Sequence, residues 1–243
     1  MSLPKADIIA QLQKDILPLQ GFRPLSTGAT PDMGLGPIKA AFPNAAFPLG
    51  AIHEFTCTRI EDTAATGGFI AGLLSTLMRT GGALLWIGTS RILFPPALRS
   101  FGIEPDRIIF IDLHKERDVV WAMEEALKCV GLAAVVAELQ ELSFTTSRRL
   151  QLAVEQSRVT GFIVRRNPRN LVTTACVTRW EITSLPSMIE DEMPGVGFPR
   201  WNVQLLKVRN GKPGAWEVEW KAGRFRHPSR LTALPLERKK KTG

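Results

Sequence analysis

Gly50-Ala51-Ile52-His53-Glu54-Phe55, then Thr56-Cys57-Thr58-Arg59-Ile60-Glu61-Asp62-Thr63-Ala64-Ala65-Thr66-Gly67-Gly68, then Phe69-Ile70-Ala71-Gly72-Leu73-Leu74, is the stretch that decides the fold. Residues 52–55 predict a strand and 56–66 a loop. Phe69, Ile70, Leu73, Leu74, Leu77 and Met78 recur on one face of a 3.6-residue period and predict a helix. Strand, loop and helix in this order open a nucleotide-binding α/β domain. A loop that cradles a triphosphate reads Gly-x-x-x-x-Gly-Lys-Ser/Thr. Here the Lys is missing, and Glu61 and Asp62 bring negative charge to the loop. An anion site at a helix N-terminus needs free amides and a positive field. Thr66, Gly67 and Gly68 are therefore read as a degenerate, non-functional remnant of a nucleotide-binding loop. The expectation is an ATPase scaffold without the ATPase, with no catalytic residue and no cofactor.

Working outward, 83–87 predicts a continuous apolar strand, 95–101 a short helix, 107–111 a strand, 118–130 a helix, 133–137 a strand, 147–158 a helix and 162–164 a strand. Apolar strands alternating with helices imply a parallel sheet covered on both faces. The texture then changes. Residues 172–182, 201–208 and 215–220 read as strands with no helix between them, and Asn210-Gly211-Lys212-Pro213-Gly214 reads as a hairpin loop. The fold expected is α/β: a mostly parallel sheet flanked by helices and extended by antiparallel C-terminal strands. The organisation expected is an N-terminal helix within 1–21, an irregular tether over 22–49, a core over 50–222 and a basic, loosely ordered tail over 223–243.

The chain has 243 residues and a formal net charge of +8. That balance fits an anionic partner such as nucleic acid, and equally a solvated basic surface with a basic tail at Arg238-Lys239-Lys240-Lys241. No run reaches the ~18 apolar residues of a membrane span. Three separated cysteines, Cys57, Cys129 and Cys176, point to a reducing cytosol and not to disulfides. His53 and Cys57 lack a second ligand pair, so no metal site is expected.

The succession of elements over residues 6–220 resembles the RecA core. Four segments are similar to the ImuA family: Gly50-Ala51-Ile52-His53-Glu54-Phe55; Ala64-Ala65-Thr66-Gly67-Gly68-Phe69-Ile70-Ala71-Gly72-Leu73-Leu74; Leu142-Ser143-Phe144-Thr145-Thr146-Ser147-Arg148-Arg149-Leu150-Gln151-Leu152-Ala153; and Arg209-Asn210-Gly211-Lys212-Pro213-Gly214-Ala215-Trp216. The resemblance implies a RecA-like accessory factor of DNA-damage-induced mutagenesis, cytoplasmic and at the nucleoid during damage. The partners it implies are ImuB, a Y-family polymerase relative, and an error-prone replicative-type DNA polymerase. RecA and single-stranded DNA are further candidates. Relative to active RecA, the place of the catalytic Glu falls near Thr89-Ser90, and that of the metal-supporting Asp falls at Ala137, with Glu138 beside it. Phosphoryl transfer needs phosphate positioning, Mg²⁺ and an oriented water together. Glu138 has two readings, a displaced metal carboxylate or a sheet-end carboxylate that pairs locally.

The DNA- or partner-binding candidates are Arg148, Arg149, Arg165, Arg166, Arg169 and Arg179. Arg165 to Asn170 follows a strand, at the carboxyl edge where open α/β sheets bind ligands. Arginines there either contact phosphates or pair with nearby carboxylates. Trp86, Trp121 and Trp180 are expected in the core. Trp201, Trp216 and Trp220 are read as core, with base stacking or a partner surface as the alternatives. Three functions are compared: a non-catalytic adaptor for an error-prone polymerase complex, a divergent ATP-dependent recombinase, and a regulator of RecA filaments.

Overall fold

The structure, a computed structural model, describes residues 31–90, 93–187 and 197–228. The expected N-terminal helix, the start of the tether and the basic run at 238–241 lie outside the described residues.

Nine strands form one sheet in the order β3-β2-β4-β5-β1-β6-β7-β8-β9. The elements follow the chain as β1 (Ile52–Cys57), α1 (Glu61–Leu77), β2 (Ala83–Gly88), β3 (Ile108–Asp112), α2 (Glu116–Leu127), β4 (Leu132–Leu139), α3 (Phe144–Ser157), β5 (Thr160–Arg166), β6 (Thr178–Leu185), β7 (Arg200–Val208), β8 (Gly214–Lys221) and β9 (Arg224–Arg226). Every pair from β3 across to β6 is parallel. From β6 to β9 the pairs are antiparallel. This is the mixed sheet the sequence predicts, and it is consistent with a RecA-like core.

Side chains alternate across each strand, so β1 feeds two cores. Phe55 and Cys57 join α1 on one face, with Phe162, Val164, Trp180 and Ile182. Ile52 joins α2 and α3 on the other, with Val135, Ile163, Leu150 and Val154. Helix α3 starts where Ser143 accepts a hydrogen bond from the amide of Thr146 at 3.0 Å, an N-cap that places the start before the expected residue 147.

Helix α1 is buried on nearly all sides, which its continuous apolar run requires. The sheet covers one side and the antiparallel ribbon curls over the other. Phe69 sits between them, with ring centroids 5.8 Å from Trp180, 6.2 Å from Trp201 and 5.1 Å from Phe225. This corrects three expectations. The chain from Gly223 does not begin as a loose tail, because residues 224–226 pair with β8 and Phe225 is buried. The tether is packed structure from residue 33 on: Met33, Leu35, Ile38, Phe42 and Phe47 are core, in and around 3₁₀ turns at Gly36–Ala41 and Pro43–Ala45. Trp121, expected inside, is 64% exposed on α2, because Val119, Met123, Ala126 and Leu127 form the buried stripe of that helix.

Gly72 makes the wrap possible. A Cβ there would lie 2.5 Å from the Phe225 ring and 2.9 Å from the Trp220 ring. Neither ring can swing away from a packed core. Gly72→Ala is therefore expected to lower unfolding free energy by about 1–3 kcal/mol in urea titration, despite the better helix propensity of Ala.

His53 on β1 is fully buried. The carbonyl of Pro48 accepts from Nε2 at 2.8 Å, so Nδ1 accepts from the Thr178 hydroxyl at 2.8 Å, and Thr178 in turn accepts from Trp180 Nε1 at 2.7 Å. Burial pushes the imidazole pKa down to about 3, against a smaller upward pull from the Pro48 hydrogen bond. The unfolded chain takes up this proton near pH 6.5 while the native state does not. Stability from His53 is thus complete above pH 6.5 and falls as pH drops towards 3, by up to about 1.4 kcal/mol per pH unit. Denaturant titrations from pH 7 to 5 should show this slope in the native sequence and its loss in His53→Gln.

Candidate functional site at the carboxyl edge of the sheet

Residues Thr58, Arg59 and Ile60 are all that joins β1 to α1. The helix begins at Glu61, well before the expected position, so no phosphate-cradling loop is present. Glu61 and Asp62 are first-turn helix residues, where negative charge is favourable. Two of the first amides are already used, because Asp62 N donates to Arg59 O at 3.2 Å and Thr63 N donates to Ile60 O at 3.1 Å. Asp62 is 2% exposed and accepts from Arg59 Nε at 2.8 Å, Arg59 Nη2 at 3.1 Å and Ser184 N at 3.2 Å. The Arg59 hydrogen bonds hold its pKa below the usual carboxylate value, against the opposing effect of burial. The helix end that would meet a phosphate holds the chain's own carboxylate instead.

Thr66, Gly67 and Gly68 lie inside α1, away from its N-terminus. Thr66 Oγ1 is 3.2 Å from Cys57 Sγ in the core. Gly68 faces Trp201 and Phe101, where a Cβ would stand 3.0 and 3.1 Å from the two rings. Their amides do not form a cradle. Glu138 is 5% exposed, accepts from Trp86 Nε1 at 2.7 Å and lies 3.2 Å from Arg166 Nη2. Burial raises its pKa, with the Trp86 hydrogen bond and the Arg166 charge pulling the other way. Of its two readings, local pairing is the arrangement present. Among the described residues, no group of His, Cys, Asp and Glu is arranged to hold a metal ion.

The most organised polar cluster lies on the opposite face, around Glu54, which was not among the residues singled out in the sequence. Glu54 has no exposed surface. Its Oε1 accepts from Arg165 Nη1 at 3.0 Å; Oε2 accepts from Thr174 Oγ1 at 2.7 Å and Arg179 Nε at 2.9 Å. Arg165 is also fully buried and spends its other donors on Gln140 O, Glu141 Oε2 and Asn170 O. Arg179 donates further to Val172 O at 2.6 Å. A lone charge in an apolar strand was the signal: Glu54 between Ile52 and Phe55 needs a buried cation, and Arg165 near the end of β5 supplies one.

The six candidate arginines therefore separate. Arg165 is removed from any phosphate-contacting surface by its burial, and Arg179 is largely committed to Glu54. Arg166 is held by Glu138 and Ser90 Oγ. Arg149 pairs with Glu124 of α2. Arg148 and Arg169 are exposed, and the Arg169 backbone amide is fixed by Glu141 Oε1 at 2.9 Å. The buried pair thus shapes the loop that presents Arg169. Breaking such a pair leaves an uncompensated buried charge. Arg165→Ala should cost about 3–5 kcal/mol in urea unfolding, whereas Arg169→Ala should stay within about 0.5 kcal/mol of the native sequence.

No helix among the described residues is long and apolar enough to cross a membrane. No protein-family model matches the chain. Protein ImuA of Caulobacter vibrioides, from strains NA1000 / CB15N and ATCC 19089 / CIP 103742 / CB 15, is 35% identical over 219 residues, covering 84% of this chain and 90% of that protein. The aligned region contains the carboxyl edge just described and extends well beyond it. By identity and coverage together, the chain belongs to the ImuA family.

Proposed function

We propose that the chain is a non-catalytic, RecA-like adaptor in DNA-damage-induced mutagenesis, which supports assembly of an error-prone translesion polymerase complex with an ImuB-type partner. The observation that carries the non-catalytic part is the three-residue link before α1, closed by the Arg59–Asp62 pair. Family membership supports the setting in mutagenesis. Exposed Arg148 and Arg169 support contact with an anionic partner at the carboxyl edge, where single-stranded DNA would be held through its phosphates.

The test is reconstitution with the ImuB-type partner, with and without ATP and Mg²⁺, and with labelled single-stranded DNA at two salt concentrations. The adaptor reading expects co-elution that ignores ATP, and no DNA-stimulated ATP turnover. It also expects DNA affinity that falls with salt, with the log–log slope reduced by about 0.7 unit each in Arg148→Ala and Arg169→Ala. ATP turnover in the presence of DNA would instead establish the recombinase or motor reading.

A further inference from the structure

On the α1 face a cavity of about 570 Å³ opens between the first turns of α1, the start of β7 and the 3₁₀ turn at Pro95–Phe101. Its size is that of small-molecule pockets, which run from about 300 to 1,000 Å³. The walls are apolar and largely aromatic: Leu93, Phe94, Leu98, Phe101, Phe198 and Trp201. Gly67 and Gly68 form the helix side, so the wall there is bare backbone. Deep in the lining stand Trp86 and Glu138.

Glu138 is the group the fold leaves incomplete. Its Oε1 accepts from Trp86 Nε1. Its buried Oε2 has no hydrogen bond among the described residues. Arg166 Nη2 lies 3.2 Å away as an ion pair, but it is not aligned to donate there, and it donates to Ser90 Oγ at 3.1 Å. The charge of Glu138 is balanced, and its acceptor capacity is not. A buried acceptor without a donor is unfavourable and rare. What the site lacks is one N–H or O–H group, with no further charge. Arg200, which also lines the cavity, is already paired with Glu217 at 3.0 Å. An anionic ligand would find no free counter-ion in Arg166 or Arg200, and the exposed carboxylate of Glu61, which also lines the cavity, disfavours one further.

We propose that this cavity binds a planar, uncharged aromatic small molecule whose single N–H or O–H donates to Glu138, with its rings against Phe101 and Trp201. An aliphatic or phenyl side chain of a partner protein would leave that acceptor unmet. The cavity adjoins the helix end closed by Asp62, since Glu61, Thr63 and Ser184 line it while Asp62 itself does not, and the inference does not rest on the adaptor reading.

Indole and benzofuran have the same two-ring frame, but the first offers an N–H where the second offers an acceptor oxygen. Calorimetric titration of the full chain should show saturable one-to-one binding of indole, about tenfold or more tighter than benzofuran. Ala64→Trp, a substitution at an exposed helix position in the cavity wall, should abolish indole binding while circular dichroism stays unchanged. Equal affinity for the two probes would overturn the proposal and mark a general apolar groove suited to a partner's side chain. Absence of saturable indole binding, or binding unaffected in a folded Ala64→Trp protein, would overturn it as well.

Discussion

The carboxylate of Glu54 sits at the middle of the sheet with no exposed surface, and three donors from two neighbouring segments converge on it. Strand β1 lies between β5 and β6, and the network crosses both pairings through Arg165 and Arg179. Two buried charges cost several kcal/mol each in desolvation unless geometry and additional hydrogen bonds compensate. Here they do, because every Arg165 nitrogen has a partner. The network ties β1 to both of its parallel neighbours, next to the strand β6 from which the antiparallel ribbon runs. It also ties down the loop after β5, so the exposed Arg169 leaves the body from a fixed base.

On the other face the same edge is closed in a different way. The link after β1 is short, two of the first amides of α1 are satisfied locally, and Asp62 with Arg59 occupies the positive end of the helix. Charge that a RecA-like ATPase would take from a nucleotide is supplied by the chain itself. The ribbon then folds over α1, where Gly68 and Gly72 admit Trp201 and Phe225 at close range. The large cavity near its first turns keeps an unmet acceptor in Glu138.

Alternation of apolar strands and helices made the sheet and its change of texture legible, since both follow from periodicity. The start of α1 was not legible. Glu61 and Asp62 read as loop residues hostile to phosphate, and the same charges are good first-turn helix residues. Either reading sets negative charge where a triphosphate would need positive charge, but only the structure shows the Arg59 pairing. The arginines misled because a basic cluster looks alike in sequence whether it faces solvent or a buried acid. Arg165 and Glu54 are 111 positions apart, and only the β1–β5 register brings them together. Trp121 misled for a similar reason: the apolar stripe of α2 runs beside it. Phe225 lay in a short, charged terminal stretch where one aromatic residue gives no period to detect.

On the adaptor reading, this RecA-like frame binds no ATP. A ligand that binds only the native state raises its stability by RT ln(1 + [L]/Kd). The most direct measurement is the thermal midpoint of the purified chain across a titration of ATP with Mg²⁺ to millimolar concentration, at constant ionic strength. That reading predicts an unchanged midpoint throughout. A saturable rise with ATP, absent with an equal concentration of sulfate, would contradict it and restore a nucleotide site to this fold.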